Sequence, residues 1–136
     1  MISAVDSSVL LDILIGDAQF SKTSMRAIEL MGRRGRIIVS PVVVAEIFPL
    51  LSSRILTEKF LSDLSIEFVE FGLEASILAG GIFIHYKQNK GGKKQVIADF
   101  LVGAHALMHA QALLTRDQGF YRPYFKELKI INPAQV

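Results

Sequence analysis

The stretch from Gln95 to Phe120, QVIADFLVGAHALMHAQALLTRDQGF, leaves the rest of the chain few choices. It reads as an almost wholly apolar helix, a short strand from Ala112 to Thr115, and a turn carrying Asp117. A helix apolar on nearly every side must be covered by its neighbours. Asp99 stands near the start of that helix, where an ionised carboxylate without a partner is expensive. Asp117 follows where the strand should end. Two acids delivered by a buried helix and a buried strand call for a cation, either a metal ion or a basic side chain.

The remaining chain supplies two more acids in matching places. Ile2 to Val5 reads as a buried strand running straight into Asp6, with Ser7 or Ser8 able to cap a helix that Gly16 and Asp17 close. A helix covering Ser24 to Met31 and a strand from Arg36 to Val39 follow. Ser40-Pro41 is a strong helix start, a capping serine before a proline at the first helical position. That helix is apolar except for Glu46, and Pro49 predicts a kink or break beside it. A helix from Ile55 to Leu64, a strand from Ile66 to Phe71 and an apolar helix from Leu73 to Tyr86 come next. Lys87 to Lys94 reads as a basic, glycine-rich loop, Gly119 to Phe125 as an aromatic turn, and Leu128 to Ile131 as a last strand.

Strands alternating with helices predict a three-layer α/β/α sandwich around a mostly parallel sheet. At 136 residues, the chain is expected to form one domain over 1–136. In such sheets, ligands gather beyond the carboxyl ends of the strands, near the point where strand order reverses. Asp6 and Asp117 fall on that edge, and Glu46 and Asp99 lie in the first two turns of helices that begin there. Four carboxylates so placed repel, and hard divalent ions relieve the repulsion. An oxygen-only set suits Mg²⁺, with Mn²⁺ as a substitute. Such ions activate water and stabilise charge on a phosphoryl group. No GxxxxGK[ST] loop is present to cradle a nucleotide, so phosphodiester hydrolysis is the chemistry expected.

Each acid alone has a plainer reading. Asp6 can be a helix cap, Glu46 an exposed residue on a half-buried helix, and Asp117 a turn residue. Asp12 and Asp17 fall past the strand end and read as solvent-facing or local caps. His105 and His109 share the spacing of a zinc pair but lack a third ligand, and the structural role is preferred. Arg33, Arg34 and Arg36 read as a solvated face. Lys90, Lys93 and Lys94, with Lys87, can follow a phosphate backbone or simply be solvated. Arg116 can contact a phosphate or neutralise carboxylate charge. Phe120, Tyr121, Tyr124 and Phe125 are expected to pack beneath the last strand rather than stack on bases.

The motifs AVDSSVLLDIL, SPVVVAEI, ADFLVGAHA and LLTRDQGFYRPYF occur in this order. In them the chain resembles PIN-domain ribonucleases, and most closely the VapC-type toxins of toxin–antitoxin pairs, nearly end to end. The resemblance implies a metal-dependent endoribonuclease with Asp6, Glu46, Asp99 and Asp117 as catalytic and metal-binding residues. It implies that Ser7 and Thr115 support them, that the protein is a homodimer, and that an antitoxin protein is its partner. RNA contacts are expected from Lys90, Lys93, Lys94 and Arg116.

Other functions are conceivable: a PIN nuclease of RNA maturation or decay, a receiver-like phosphoacceptor domain, or a protein-binding module. A receiver wants a lysine after its last strand, where this chain has Asn132-Pro133, and it has no use for Glu46. Retention of all four acids argues against a pure binding module. The chain has no cysteine, no basic-then-apolar leader in MISAVDSS and no apolar run long enough for a bilayer. The cytoplasm is the compartment expected.

Overall fold

The computed structural model describes residues 1–88 and 97–136. Its centre is a five-stranded sheet of β1 (Ser3–Val5), β2 (Ile37–Val39), β3 (Ile66–Phe68), β4 (Ala112–Leu114) and β5 (Lys129–Ile131). The strand order is β3-β2-β1-β4-β5, and every pairing is parallel. Among the described residues seven α-helices cover it: α1 (Ser7–Ile15), α2 (Ser21–Arg34), α3 (Pro41–Leu51), α4 (Arg54–Asp63), α5 (Gly72–Gln88), α6 (Ile97–His109) and α7 (Gln118–Tyr124). This is the expected α/β/α sandwich, with the sheet parallel throughout. All three residues of β1, β2 and β4 are buried, as central strands covered on both faces require.

The order of the strands decides where a site can form. From β1 the chain builds outward through β2 and β3, then returns to the other side of β1 for β4 and β5. Connections leaving β1 and β4 therefore diverge, and their carboxyl ends form the switch point at which such sheets bind ligands. Those two ends carry Asp6 and the Thr115–Asp117 turn.

Local chemistry accounts for the helix boundaries. The Ser40 hydroxyl accepts from the Val43 N–H at 3.4 Å and Pro41 opens α3; Ser53 caps α4 in the same way. Gly16 closes α1 in the left-handed conformation, with φ at 69°. Asp17 acts as a local cap, accepting from the N–H groups of Gln19 and Phe20 at 2.8 and 2.9 Å.

Several expectations are corrected. The cap of α1 is Asp6, the plainer of its two readings, which accepts from the Ser7 N–H at 2.8 Å; Ser7 and Ser8, offered as caps, lie inside the helix. Pro49 does not end its helix: α3 continues to Leu51, because a proline in the last turn removes one bond while the Ser52 N–H still reaches the Phe48 carbonyl. The aromatic turn is the helix α7. Lys87 is helical, in the last turn of α5. The rest of the basic loop, with Lys90, Lys93 and Lys94, lies outside the described residues. Strand β3 stops at Phe68 rather than Phe71 because Phe68 is paired with Val39, where its partner β2 ends, and the carbonyls beyond turn to α6. His105 Nε2 sits 2.8 Å from the Val69 carbonyl and His109 Nε2 2.7 Å from that of Phe71. The two histidines thus have the structural role preferred for them, tying α6 to the exit of β3.

On α6, Gly103 admits the ring of Phe125, which would lie 2.4 Å from any Cβ placed there. Phe120 and Tyr124 of α7 meet Phe100 of α6 edge-on, at ring separations of 5.1 and 5.8 Å. The aromatic residues after Asp117 are therefore core, though they pack on α6 as well as beside β5. Among the described residues, no helix is long and apolar enough to cross a membrane.

Candidate active site

Asp6 is the best defined of the four acids. It is 7% exposed, at the end of the buried strand β1. One carboxylate oxygen takes the Ser7 N–H; the other takes the Thr115 hydroxyl at 2.7 Å and, more distantly, the Ser8 hydroxyl at 3.4 Å. Thr115 is fully buried, and its hydroxyl oxygen also accepts the Asp117 N–H at 2.9 Å. A single hydroxyl thus links the acid after β1 to the acid after β4. The backbone adds its own link, from the Asp6 N–H to the Leu114 carbonyl at 3.0 Å.

Despite these donors, the Asp6 carboxyl is raised from 3.8 to about 6. Burial is the main cause. The hydrogen bonds from Thr115 and Ser7 oppose it, and the negative charges of Glu46 and Asp117 add to it. Glu46 and Asp117 are exposed and Asp99 is half-buried. Tyr121, buried on α7, also registers the arrangement. Its phenol is held well above its ordinary range, first by burial and then by the charges of Asp6, Asp99, Asp117 and Glu46. Four acids from β1, α3, α6 and the β4–α7 turn therefore act on one buried hydroxyl. No Lys or Arg among the described residues forms an ion pair with Asp6, Glu46 or Asp117.

The donor set fits a hard divalent ion in chemistry: oxygens only, negative, and with Asp6 held in one orientation. Among the described residues, no three of these side chains are gathered closely enough to hold an ion by direct bonds alone. Mg²⁺ tolerates this, since it keeps several waters and takes one or two carboxylates directly.

Arg116 departs from expectation. Rather than facing the four acids, its guanidinium forms a two-pronged pair with Asp12, at 2.8 and 2.7 Å. It also lies over the ring of Phe20, 4.0 Å from its centre. Asp12, expected to face solvent or to act as a local cap, is 4% exposed and also accepts from the Ser24 hydroxyl at 2.9 Å. The signal was present in the sequence, because Asp12 is flanked by Leu10, Leu11, Ile13 and Leu14, as Asp99 is by apolar neighbours. Tyr121 and Ser8 carried no such signal. Arg36, read as part of a solvated face, pairs with Glu67 at 2.8 Å.

Comparison with solved structures finds the same fold repeatedly. VapBC2 from Rickettsia felis, bound to a promoter DNA fragment, matches with a TM-score of 0.74 at 20% identity, covering 97% of this chain and 98% of that one. A toxin–antitoxin complex from Klebsiella pneumoniae matches with a TM-score of 0.69 at 14% identity, covering 98% and 99%. VapC20 from Mycobacterium tuberculosis, a toxin that cleaves the sarcin–ricin loop, matches with a TM-score of 0.66 at 14% identity, covering 93% and 98%. No curated protein matches by sequence. The family model of the PIN domain matches residues 4–126, from β1 through the strand-end acids and α7. The chain belongs to the PIN domain family.

Proposed function

We propose that this protein is a divalent-metal-dependent endoribonuclease, the toxin of a toxin–antitoxin pair, acting through Asp6, Glu46, Asp99 and Asp117. The observation that carries the reading is the state of Asp6. A buried carboxylate, held by Thr115 and Ser7 and raised to about 6 beside Glu46 and Asp117, is poised to gain a cation. A carboxyl so perturbed, at a topological switch point, supports reading this place as the functional site. Mg²⁺ or Mn²⁺ held there supplies an activated water and stabilises charge on the phosphoryl group. The chain's own part is to hold Asp6, Glu46 and Asp117 with no ion pair to a Lys or Arg among the described residues, leaving room for the ion and its waters. Thr115 fixes Asp6 and, through its oxygen, the start of the Asp117 turn.

RNA as substrate is supported by the M. tuberculosis neighbour, which cuts the sarcin–ricin loop. An antitoxin as partner is supported by neighbours solved as toxin–antitoxin complexes. Lys90, Lys93 and Lys94 are proposed to follow the RNA backbone. Dimer formation is proposed through α5, where Leu73, Ile77 and Ile84 stand exposed along one side.

Incubation of the purified protein with a long RNA tests the reading. Internal cleavage is expected with Mg²⁺ or Mn²⁺, none in EDTA, and background activity in Asp99→Asn. Equal cleavage in EDTA would remove the metal-dependent reading.

A further inference from the structure

We infer that Asp12 and Arg116 form a positioning pair that sets the Asp117-bearing turn against α1, and so sets the spacing of the acids for their metal ion. The inference rests on the metal-dependent reading of the site. Arg116 lies between Thr115 and Asp117, one residue from each. Its backbone N–H donates to the Ser8 hydroxyl at 3.3 Å, and that hydroxyl leans on the second oxygen of Asp6. Its side chain reaches away from the acids to Asp12, two turns along the helix that Asp6 caps. Asp12 is fixed in turn by Ser24 of α2, and Phe20 closes over the guanidinium. One arginine thus fastens the β4–α7 turn to α1 and α2 at three points.

The direction of that fastening matters. A free arginine beside four carboxylates would neutralise them and compete with a metal ion. Asp12 offers a better-placed, two-pronged acceptor and draws the charge off the site. The pair therefore does two things: it holds Asp117 in register with Asp6, and it keeps the Arg116 charge on Asp12 rather than on Asp6 or Asp117. Neither residue is proposed to touch substrate or metal.

The test uses Asp12→Asn, Arg116→Gln, the double variant and Arg116→Lys, each measured well below its melting midpoint. Mn²⁺ binding is followed by electron paramagnetic resonance, and hydrogen exchange of the segment 114–120 is followed without metal. Groups that orient metal ligands typically contribute 10–100-fold in affinity. We expect the single variants to bind Mn²⁺ about tenfold more weakly, with faster exchange in 114–120 and an unchanged exchange rate in α4. The double variant should lose no more than the worse single one. Arg116→Lys, which keeps the charge but not the fork, should fall between; it carries the test if Asp12→Asn does not fold. A merely structural pair would lower the melting midpoint and leave the Mn²⁺ affinity of the folded protein at the wild-type value. That result, or additive losses in the double variant, overturns the inference alone. Wild-type protein that binds no Mn²⁺ at the acid site overturns both this inference and the nuclease reading beneath it.

Discussion

At the scale of single residues, Asp6 sets the strongest constraint. Its folded-state value of about 6 exceeds the ordinary 3.8, so the folded protein binds this proton more tightly than the unfolded chain. Without metal, the contribution of Asp6 to stability is most favourable below pH 4 and is lost as the pH rises towards 6. The loss amounts to on the order of 3 kcal/mol. Asp6→Asn should therefore melt higher than wild type at pH 7 in EDTA, with the difference closing near pH 4; thermal melts across that range check it. Metal affinity should climb between pH 5 and 7 as Asp6 gives up its proton, which titration calorimetry can follow. Gly103 constrains packing as tightly as Asp6 constrains charge. Gly103→Ala drives a methyl into the ring of Phe125. Overpacking of this kind costs about 1–3 kcal/mol, to be read as a lower denaturation midpoint with an unchanged slope.

At the scale of elements, α6 joins the core to the site. Asp99 lies in its first turn, Gly103 meets α7, and His105 and His109 hold the exit of β3. Burial lowers the His105 value below its ordinary 6.5. The unfolded chain therefore takes up this proton first on acidification, and stability falls as the pH drops below about 6.5. His105→Phe should lose this acid sensitivity. It should also leave the Val69 carbonyl unpaired, at a cost of about 1–3 kcal/mol, measurable by urea denaturation at pH 5 and 7.5. The helices and strands were legible because their signals are local: Ser40-Pro41 announced α3, and the run around Phe100 announced a buried helix. Other features depend on contacts across the fold. The segment after β3 is held by two histidines 36 and 38 residues away, and Arg116 finds Asp12 at a separation of 104. Helix α7 was hidden by Gly119 and Pro123, two residues that usually mark a turn, because packing against Phe100 overrides their preference.

At the scale of the whole molecule, the sheet order makes the site. Strands β1 and β4 are neighbours in space though far apart in sequence, and their divergent connections put Asp6 and Asp117 at the topological switch point. That Asp6 and the Thr115–Asp117 turn share one sheet edge could be read from sequence, because parallel sheets put strand-end residues there. The electrostatic balance among the four acids could not, since it depends on which cation each acid meets. The outer surface carries a second consequence. Leu73, Ile77 and Ile84 lie 75%, 66% and 59% exposed on α5, with Gly80 between them leaving open space. This is the stripe through which dimer formation is proposed. Ile77→Glu should shift the protein towards monomer in sedimentation velocity without lowering its melting midpoint. The central claim is that Asp6, Glu46, Asp99 and Asp117 share one divalent ion, and the most direct measurement is anomalous scattering from crystals soaked in Mn²⁺. The account predicts a Mn²⁺ peak at the carboxyl ends of β1 and β4, bonded to at least one of the four carboxylates and lost in Asp6→Asn. A protein that cleaves RNA under the same Mn²⁺ concentration with no peak there, or with its only peak elsewhere, would contradict it.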